Sequence, residues 1–279
     1  MNRFLQLFRV GNCIMGVVGL LIGALVAGGS ALPDHLRELM LASAVVFTFI
    51  AGGNALNDYT DREVDRRGHP ERPIPSGRID PRQVLGLSAA LFLLSLLLSL
   101  LLDWISIIIV VGAMAIMLLY ESRSKREGLA GNLSISLLTG ALFLLGGAVV
   151  GGIERTAVIA AMAALATLGR EIVKDIEDMD ADFDRRTLPQ RIGAPKAGAL
   201  GSLAFLLAVG LSPQPYLAGE LGLAYLIPVA AADAIFIYCS AVHFRNPGRG
   251  QRLAKLGMLL ALLAFLLGGL QAALNGGLA

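Results

Sequence analysis

Nine predominantly apolar runs divide this 279-residue chain, at 10–29, 38–57, 84–102, 104–120, 129–150, 156–174, 197–212, 217–240 and 254–274. A helix needs roughly 20 such residues to cross about 30 Å of hydrocarbon, so the runs predict a polytopic membrane protein. Lipid offers no partner for backbone N–H and C=O groups, which leaves helices or a closed barrel as the spanning structures. Uninterrupted stretches such as 91–102 lack the alternation of a barrel strand. The expected fold is therefore an all-α bundle of nine transmembrane helices forming a single domain over 1–279. A content of 56% hydrophobic and only 16% charged residues excludes an ordinary soluble globule. The first run follows Arg3 and Arg9 but is long for a secretory leader and precedes only a weak cleavage signal, so it reads as a retained helix. Two cysteines are too few for a disulfide scaffold or a four-thiolate metal site, and Cys13 and Cys239, within apolar runs, read as small buried hydrophobes.

The net charge of +2 conceals a strong asymmetry. When alternate connections are assigned to alternate sides, 21 of the 23 Lys and Arg residues share one face, leaving only Arg37 and Arg155 on the other. The positive-inside rule then predicts a multi-pass cell-membrane protein with its amino terminus and its large loops in the cytoplasm. Carboxylates follow the same side, which that rule does not require. They concentrate at Asp58, Asp61, Glu63 and Asp65, leaving the second run, and at Glu171, Asp175, Glu177, Asp178, Asp180, Asp182 and Asp184, leaving the sixth. Four runs separate the clusters, so both hang from like-oriented helix ends. The pattern predicts two related four-helix halves around a central cavity, with a ninth helix beyond them.

Asn57, Asp61 and Asp65 are spaced by four, and Glu171, Asp175, Asp178 and Asp182 by four, three and four, so each set forms a stripe along one helical face. Stacked carboxylates repel one another unless a cation holds them, and ionisable groups at membrane helices are usually functional. Oxygen ligands without helpful His or Cys point to Mg²⁺, Mn²⁺ or Ca²⁺ rather than zinc or copper, and Mg²⁺, which completes its shell with substrate phosphate oxygens, fits best. Arg62, Arg66, Arg67, Arg72, Arg78, Lys125 and Lys174 lie close by in sequence. They would oppose a bare metal but suit an anion gripped jointly by metal, Arg and Lys, and a diphosphate meets that description. A phosphate ligand approached from within a membrane carries a lipid tail.

The stretch Asn57-Asp58-Tyr59-Thr60-Asp61-Arg62-Glu63-Val64-Asp65, followed by Arg72-Pro73-Ile74-Pro75-Ser76-Gly77, resembles the motif Asn-Asp-x-x-Asp-x-x-x-Asp with downstream Arg-Pro-x-Pro-Ser-Gly of the UbiA superfamily of intramembrane prenyltransferases. The nine-helix count agrees, so the resemblance spans the chain and implies the fold of that superfamily. Its second Asp-rich motif resembles 174–182 here, with Asp178 and Asp182 as Asp-x-x-x-Asp; Asp180 and Asp184 offer competing registers, so the ligand set of this cluster stays open. Tyr120, Lys125 and Asn132 look like further landmarks, and Asn12 like a polar position of the first helix. The resemblance implies one metal on Asn57, Asp58, Asp61 and Asp65, a second Mg²⁺ on Asp175, Asp178 and Asp182, and a substrate diphosphate bridging them. Arg72, Lys125 and Lys174 are expected on phosphate oxygens, and Asn12, Arg62, Tyr120 and Asn132 elsewhere along the substrate.

Residues 169–175 and 255–258 look most like the archaeal branch of the superfamily. That branch implies geranylgeranyl diphosphate as donor and geranylgeranylglyceryl phosphate as acceptor, making the second ether bond of an archaeal membrane lipid. An aromatic or quinone-precursor acceptor would use the same donor machinery. A CDP-alcohol phosphotransferase would need Gly after an Asp, which is absent. A divalent cation transporter would favour carboxylates near the midplane, where only Asp233 lies. The stretch from His243 to Lys255 reads as a basic loop against anionic lipid. Basic residues scattered over membrane loops and mixed with acids make nucleic-acid binding improbable, and no obligate protein partner is implied.

Overall fold

The computed structural model describes residues 3–179 and 186–276 and, among them, contains helices and turns but no strand. In chain order the helices are α1 (Arg3–Phe8), α2 (Val10–Gly28), α3 (Leu36–Thr60), α4 (Arg62–Gly68), α5 (Pro81–Ser99), α6 (Trp104–Ser122), α7 (Leu129–Val149), α8 (Ile153–Glu177), α9 (Leu188–Ile192), α10 (Ala194–Leu211), α11 (Gln214–Leu217), α12 (Leu226–Val242) and α13 (Pro247–Gly276). Among the described residues, eight segments are long and apolar enough to cross a membrane. The first of them, Val10–Thr60, contains both α2 and α3, joined through a 3-10 turn at Gly29–His35 where the sequence reads two separate runs.

Local chemistry sets several boundaries. Asp80 accepts from Arg82 N at 2.7 Å and Pro81 opens α5, while Asp103 caps α6 by accepting from Ile105 N and Ser106 N. The expected run at 217–240 is interrupted. Gly219 takes φ +75 and Gly222 N donates to Gly268 O, so α12 begins only at Leu226. The loop expected from His243 to Lys255 is also corrected: Pro247 starts α13, Asn246 Oδ1 accepts from Arg249 N at 2.9 Å, and Arg249, Arg252 and Lys255 lie on the helix.

Packing follows membrane rules. Leu93, Leu97, Leu101, Ile108, Leu119, Leu203 and Ile227 are exposed, a surface that suits lipid and would be untenable in water. Inside, hydroxyls bridge helices: Ser88 Oγ donates to Gly52 O at 2.8 Å and Ser95 Oγ to Val45 O at 3.0 Å, tying α5 to α3. The tightest crossing joins α2 to α7. A Cβ on Gly146 would lie 2.1 Å from Leu20 O, and one on Gly23 would lie 2.4 Å from Phe143 O. Two backbones thus touch through glycines, as small residues permit in membranes.

Gly146→Ala should drive α2 and α7 apart and destabilise the protein by about 1–3 kcal/mol, seen as a lower melting temperature in detergent. Gly86→Ala, inside α5 with no atom within 4 Å of the added methyl, is the control and should leave the melting temperature unchanged or raise it.

Candidate active site

Two helices, α3 and α8, carry the acid clusters, and both rise from the wall of one cavity. The cavity occupies about 510 Å³, and its lining includes Gly53 and Asn54 of α3, about one turn before Asn57 and Asp58. On the opposite side it includes Thr167 and Arg170 of α8, one turn or so before Glu171 and Asp175. Apolar side chains from α2, α7, α12 and α13, among them Phe143, Val229 and Phe265, form most of the remaining wall. The two halves expected from the sequence therefore do face a shared chamber.

At the end of α3 the regular helix breaks at Asp61 and resumes as α4, with Asp65 N donating to Asp61 O at 2.8 Å. This break and the two-turn spacing of Asp58 and Asp65 split the single stripe expected of Asn57, Asp61 and Asp65. Asp58 and Asp65 turn to one side, where Arg72 Nη1 lies 2.6 Å from Asp65 Oδ2 and 3.8 Å from Asp58 Oδ1. Arg9 completes that side, donating to Asp58 Oδ1 at 2.6 Å and to Asn57 Oδ1 at 3.4 Å. Arg9 holds a left-handed backbone (φ 48, ψ 58) just before α2, a conformation unfavourable for a non-glycine residue and typical of functional positions.

Asp61 faces the α6–α7 corner instead, and Asn57 spans the two sides. Lys125 Nζ sits 2.6 Å from Asp61 Oδ2 and 3.2 Å from Glu121 Oε2. Glu121, with only 3% of its side chain exposed, also accepts from Asn57 Nδ2 at 3.0 Å and Thr60 Oγ1 at 2.6 Å. The same corner reaches the other cluster, because Asn132 Nδ2, near the start of α7, donates to Asp175 Oδ2 at 2.9 Å. Gly128 (φ +64) makes the corner possible. One connection thus links both acid-bearing helix ends.

The UbiA prenyltransferase family model matches residues 16–273. The chain belongs to the UbiA prenyltransferase family. It is 40% identical over 283 residues to a digeranylgeranylglyceryl phosphate synthase of Methanosarcina mazei, covering 96% of this chain and 98% of that one. A solved structure of a digeranylgeranylglyceryl phosphate synthase superposes with a TM-score of 0.85 at 35% identity, over 96% of this chain and 98% of that one. A UbiA homologue from Archaeoglobus fulgidus, solved with DMAPP and Mg²⁺, shares the fold at a TM-score of 0.69 and 18% identity, over 95% of this chain and 99% of that one. The prenyltransferase is accordingly an all-helical, multi-pass membrane protein.

Of the other residues singled out from sequence, Arg62 turns back onto its own turn, donating to Tyr59 O at 2.7 Å with its guanidinium over the Tyr59 ring. Asn12 lines the chamber, and Tyr120 lies part-buried near the end of α6. Lys174 approaches Glu171 at 3.9 Å. Asp178 closes α8, its N–H donating to Lys174 O, and Asp182, Asp180 and Asp184 lie outside the described residues. Among the described residues no three His, Cys, Asp or Glu side chains gather closely enough to hold a metal. Arg9, Arg72 and Lys125 neutralise the first cluster instead. Glu121 and Arg9 are the members that sequence reasoning missed. Glu121 could have been flagged as an acid at the apolar end of α6, four residues before Lys125, whereas Arg9 looks like any basic residue flanking an apolar run.

Lys125→Met would leave Glu121 buried and uncompensated, destabilising the prenyltransferase by about 3 kcal/mol, as breaking a buried pair generally does. Adding Glu121→Gln should restore most of the melting temperature in detergent without restoring activity.

Proposed function

We propose that this chain transfers the geranylgeranyl group of geranylgeranyl diphosphate to the free hydroxyl of geranylgeranylglyceryl phosphate, making the second ether bond of an archaeal membrane lipid. The observation that carries this proposal is the meeting of two acid-bearing helix ends over one apolar chamber. The high-coverage relatives of that name support the choice of acceptor.

The donor set at the chamber mouth is carboxylate and amide oxygen, which fits a hard divalent ion rather than zinc. Asn57, Asp58, Asp61 and Asp65, divided here between two sides of the helix end by their pairs with Arg9, Arg72 and Lys125, would hold one Mg²⁺ once those pairs open, and Asp175, Asp178 and Asp182 a second. Bound there, Mg²⁺ supplies electrophilic neutralisation of the leaving diphosphate. Arg9, Arg72 and Lys125, now pairing with Asp58, Asp65 and Asp61, can turn toward phosphate oxygens once the carboxylates are otherwise occupied, and Lys174 adds a fourth cation. The apolar wall keeps water from the allylic cation and receives the isoprenoid tail. As the bond from the allylic carbon to the diphosphate oxygen breaks, a new bond forms from that carbon to the acceptor oxygen. The hydroxyl proton passes to a carboxylate or to the departing diphosphate. The distribution of Lys and Arg supports a cell-membrane placement with the amino terminus and this mouth on the cytoplasmic side.

Asp61→Ala and Asp182→Ala should each lower Mg²⁺-dependent diphosphate release by about 100-fold or more while the protein stays folded in detergent. Chelation should abolish release and added Mg²⁺ restore it. Mass analysis of the product from labelled donor and a panel of acceptors tests the acceptor: an aromatic product alone would remove the ether-lipid assignment and keep prenyl transfer.

A further inference from the structure

The chamber wall carries a second polar feature, set back from the acid clusters. Among the described residues lining the cavity, Arg170 is the only cation, and Thr167 lies one turn before it on α8. Thr167 is 3% exposed, and its Oγ1 has no hydrogen-bond partner. Other helical hydroxyls find a carbonyl, Thr48 on Ala44 O, Ser136 on Asn132 O and Thr139 on Ile135 O in the preceding turn, Ser88 and Ser95 on a neighbouring helix. Thr167 does not.

Arg170 is equally incomplete. Its Nη1 donates to Glu171 Oε1 at 2.5 Å, which fixes the guanidinium, yet Nε is buried without a partner. A guanidinium presents five donors in a rigid fork suited to phosphate. A buried donor and a buried hydroxyl without partners one turn apart, on the wall of a mainly apolar cavity that also carries Asn12, Asn54, Thr139 and Asp233, can serve an oxygen ligand.

We infer that Arg170 and Thr167 form the subsite for the phosphate monoester of the acceptor lipid, separate from the diphosphate site at the helix ends. This inference rests on the acceptor proposed above and adds the residues that select it. Arg170 stands five residues before Asp175 on α8, roughly 7 Å along the helix axis. In the acceptor, the free hydroxyl is borne by the carbon next to the phosphate ester carbon. A phosphate on Arg170 therefore holds that hydroxyl between the subsite and the helix ends, where the allylic carbon of the donor must lie. Glu171 positions the fork, and Thr167 supplies a neutral hydroxyl that can donate to a phosphate oxygen. A neutral or aromatic acceptor would leave both groups unpaired, so the subsite works by discrimination as well as by attraction.

The test uses the full-length protein in detergent, without donor, and compares equilibrium binding of geranylgeranylglyceryl phosphate with that of its dephosphorylated alcohol. Wild type should bind the phosphate form about ten-fold or more tightly, as expected of a charge-assisted contact. Arg170→Gln should erase the difference, and the near-isosteric Thr167→Val should reduce it several-fold. In turnover, both variants should raise the acceptor KM while leaving the donor KM and the Mg²⁺ requirement unchanged, and Arg170→Lys should recover part of the loss. Equal weakening of both lipids, or a shift in donor KM, would overturn the subsite. Because binding is read without catalysis, the two proposals fail separately. A phosphate preference lost in Arg170→Gln, alongside product on another acceptor only, supports the subsite and removes the ether-lipid function. Ether-lipid product from a wild type with no phosphate preference does the reverse.

Discussion

Charge held at the ends of membrane helices governs this molecule. A carboxylate there faces desolvation and has few partners, so each acidic side chain must be matched by a cation, an amide or a metal. The first cluster meets this requirement through Arg9, Arg72 and Lys125, and Asp175 of the second meets it in part through Asn132. These partners come from the start of α2, the loop before α5 and the α6–α7 corner. Neutralising the acids therefore draws distant parts of the chain together, and the mouth of the chamber is the product of that convergence.

The same network has a chemical meaning. Carboxylates already paired with Arg and Lys form a reserve of both charges within a small volume. A ligand that brings its own negative oxygens together with a cation can exchange with these pairs without leaving any group bare. Lys125 lies 2.6 Å from Asp61 and 3.2 Å from Glu121, so its ammonium can leave one carboxylate while staying with the other. An apolar chamber beneath such a mouth suits a molecule with a charged head and a hydrocarbon tail.

Much of this was legible in the sequence because membranes impose few solutions. Apolar length sets where helices run, and the clustering of acids at like-oriented ends points to a shared mouth. What escaped was decided by tertiary packing. The break between Leu217 and Leu226 depends on a left-handed glycine within an otherwise apolar run. The early start of α13 depends on a capping Asn and a Pro that periodicity does not weigh. Arg9 and Glu121 became visible only when residues 49 and 64 positions away along the chain came within hydrogen-bonding distance. Thr167 and Arg170 sit in a helix whose sequence gives no sign of which side opens onto a void.

The glycine crossing of α2 and α7 bears on how such a chamber can adapt. Where backbone meets backbone at Gly23 and Gly146, there is no side chain whose size could be traded to widen or narrow the interior. That wall behaves as a fixed rail. Tailoring of the hollow to longer, shorter or bulkier guests falls to the side chains that line it, such as Met15 of α2, Phe143 of α7, Val229 of α12 and Phe265 of α13. The crossing sets the spacing of the frame, and the side chains around it set the room inside.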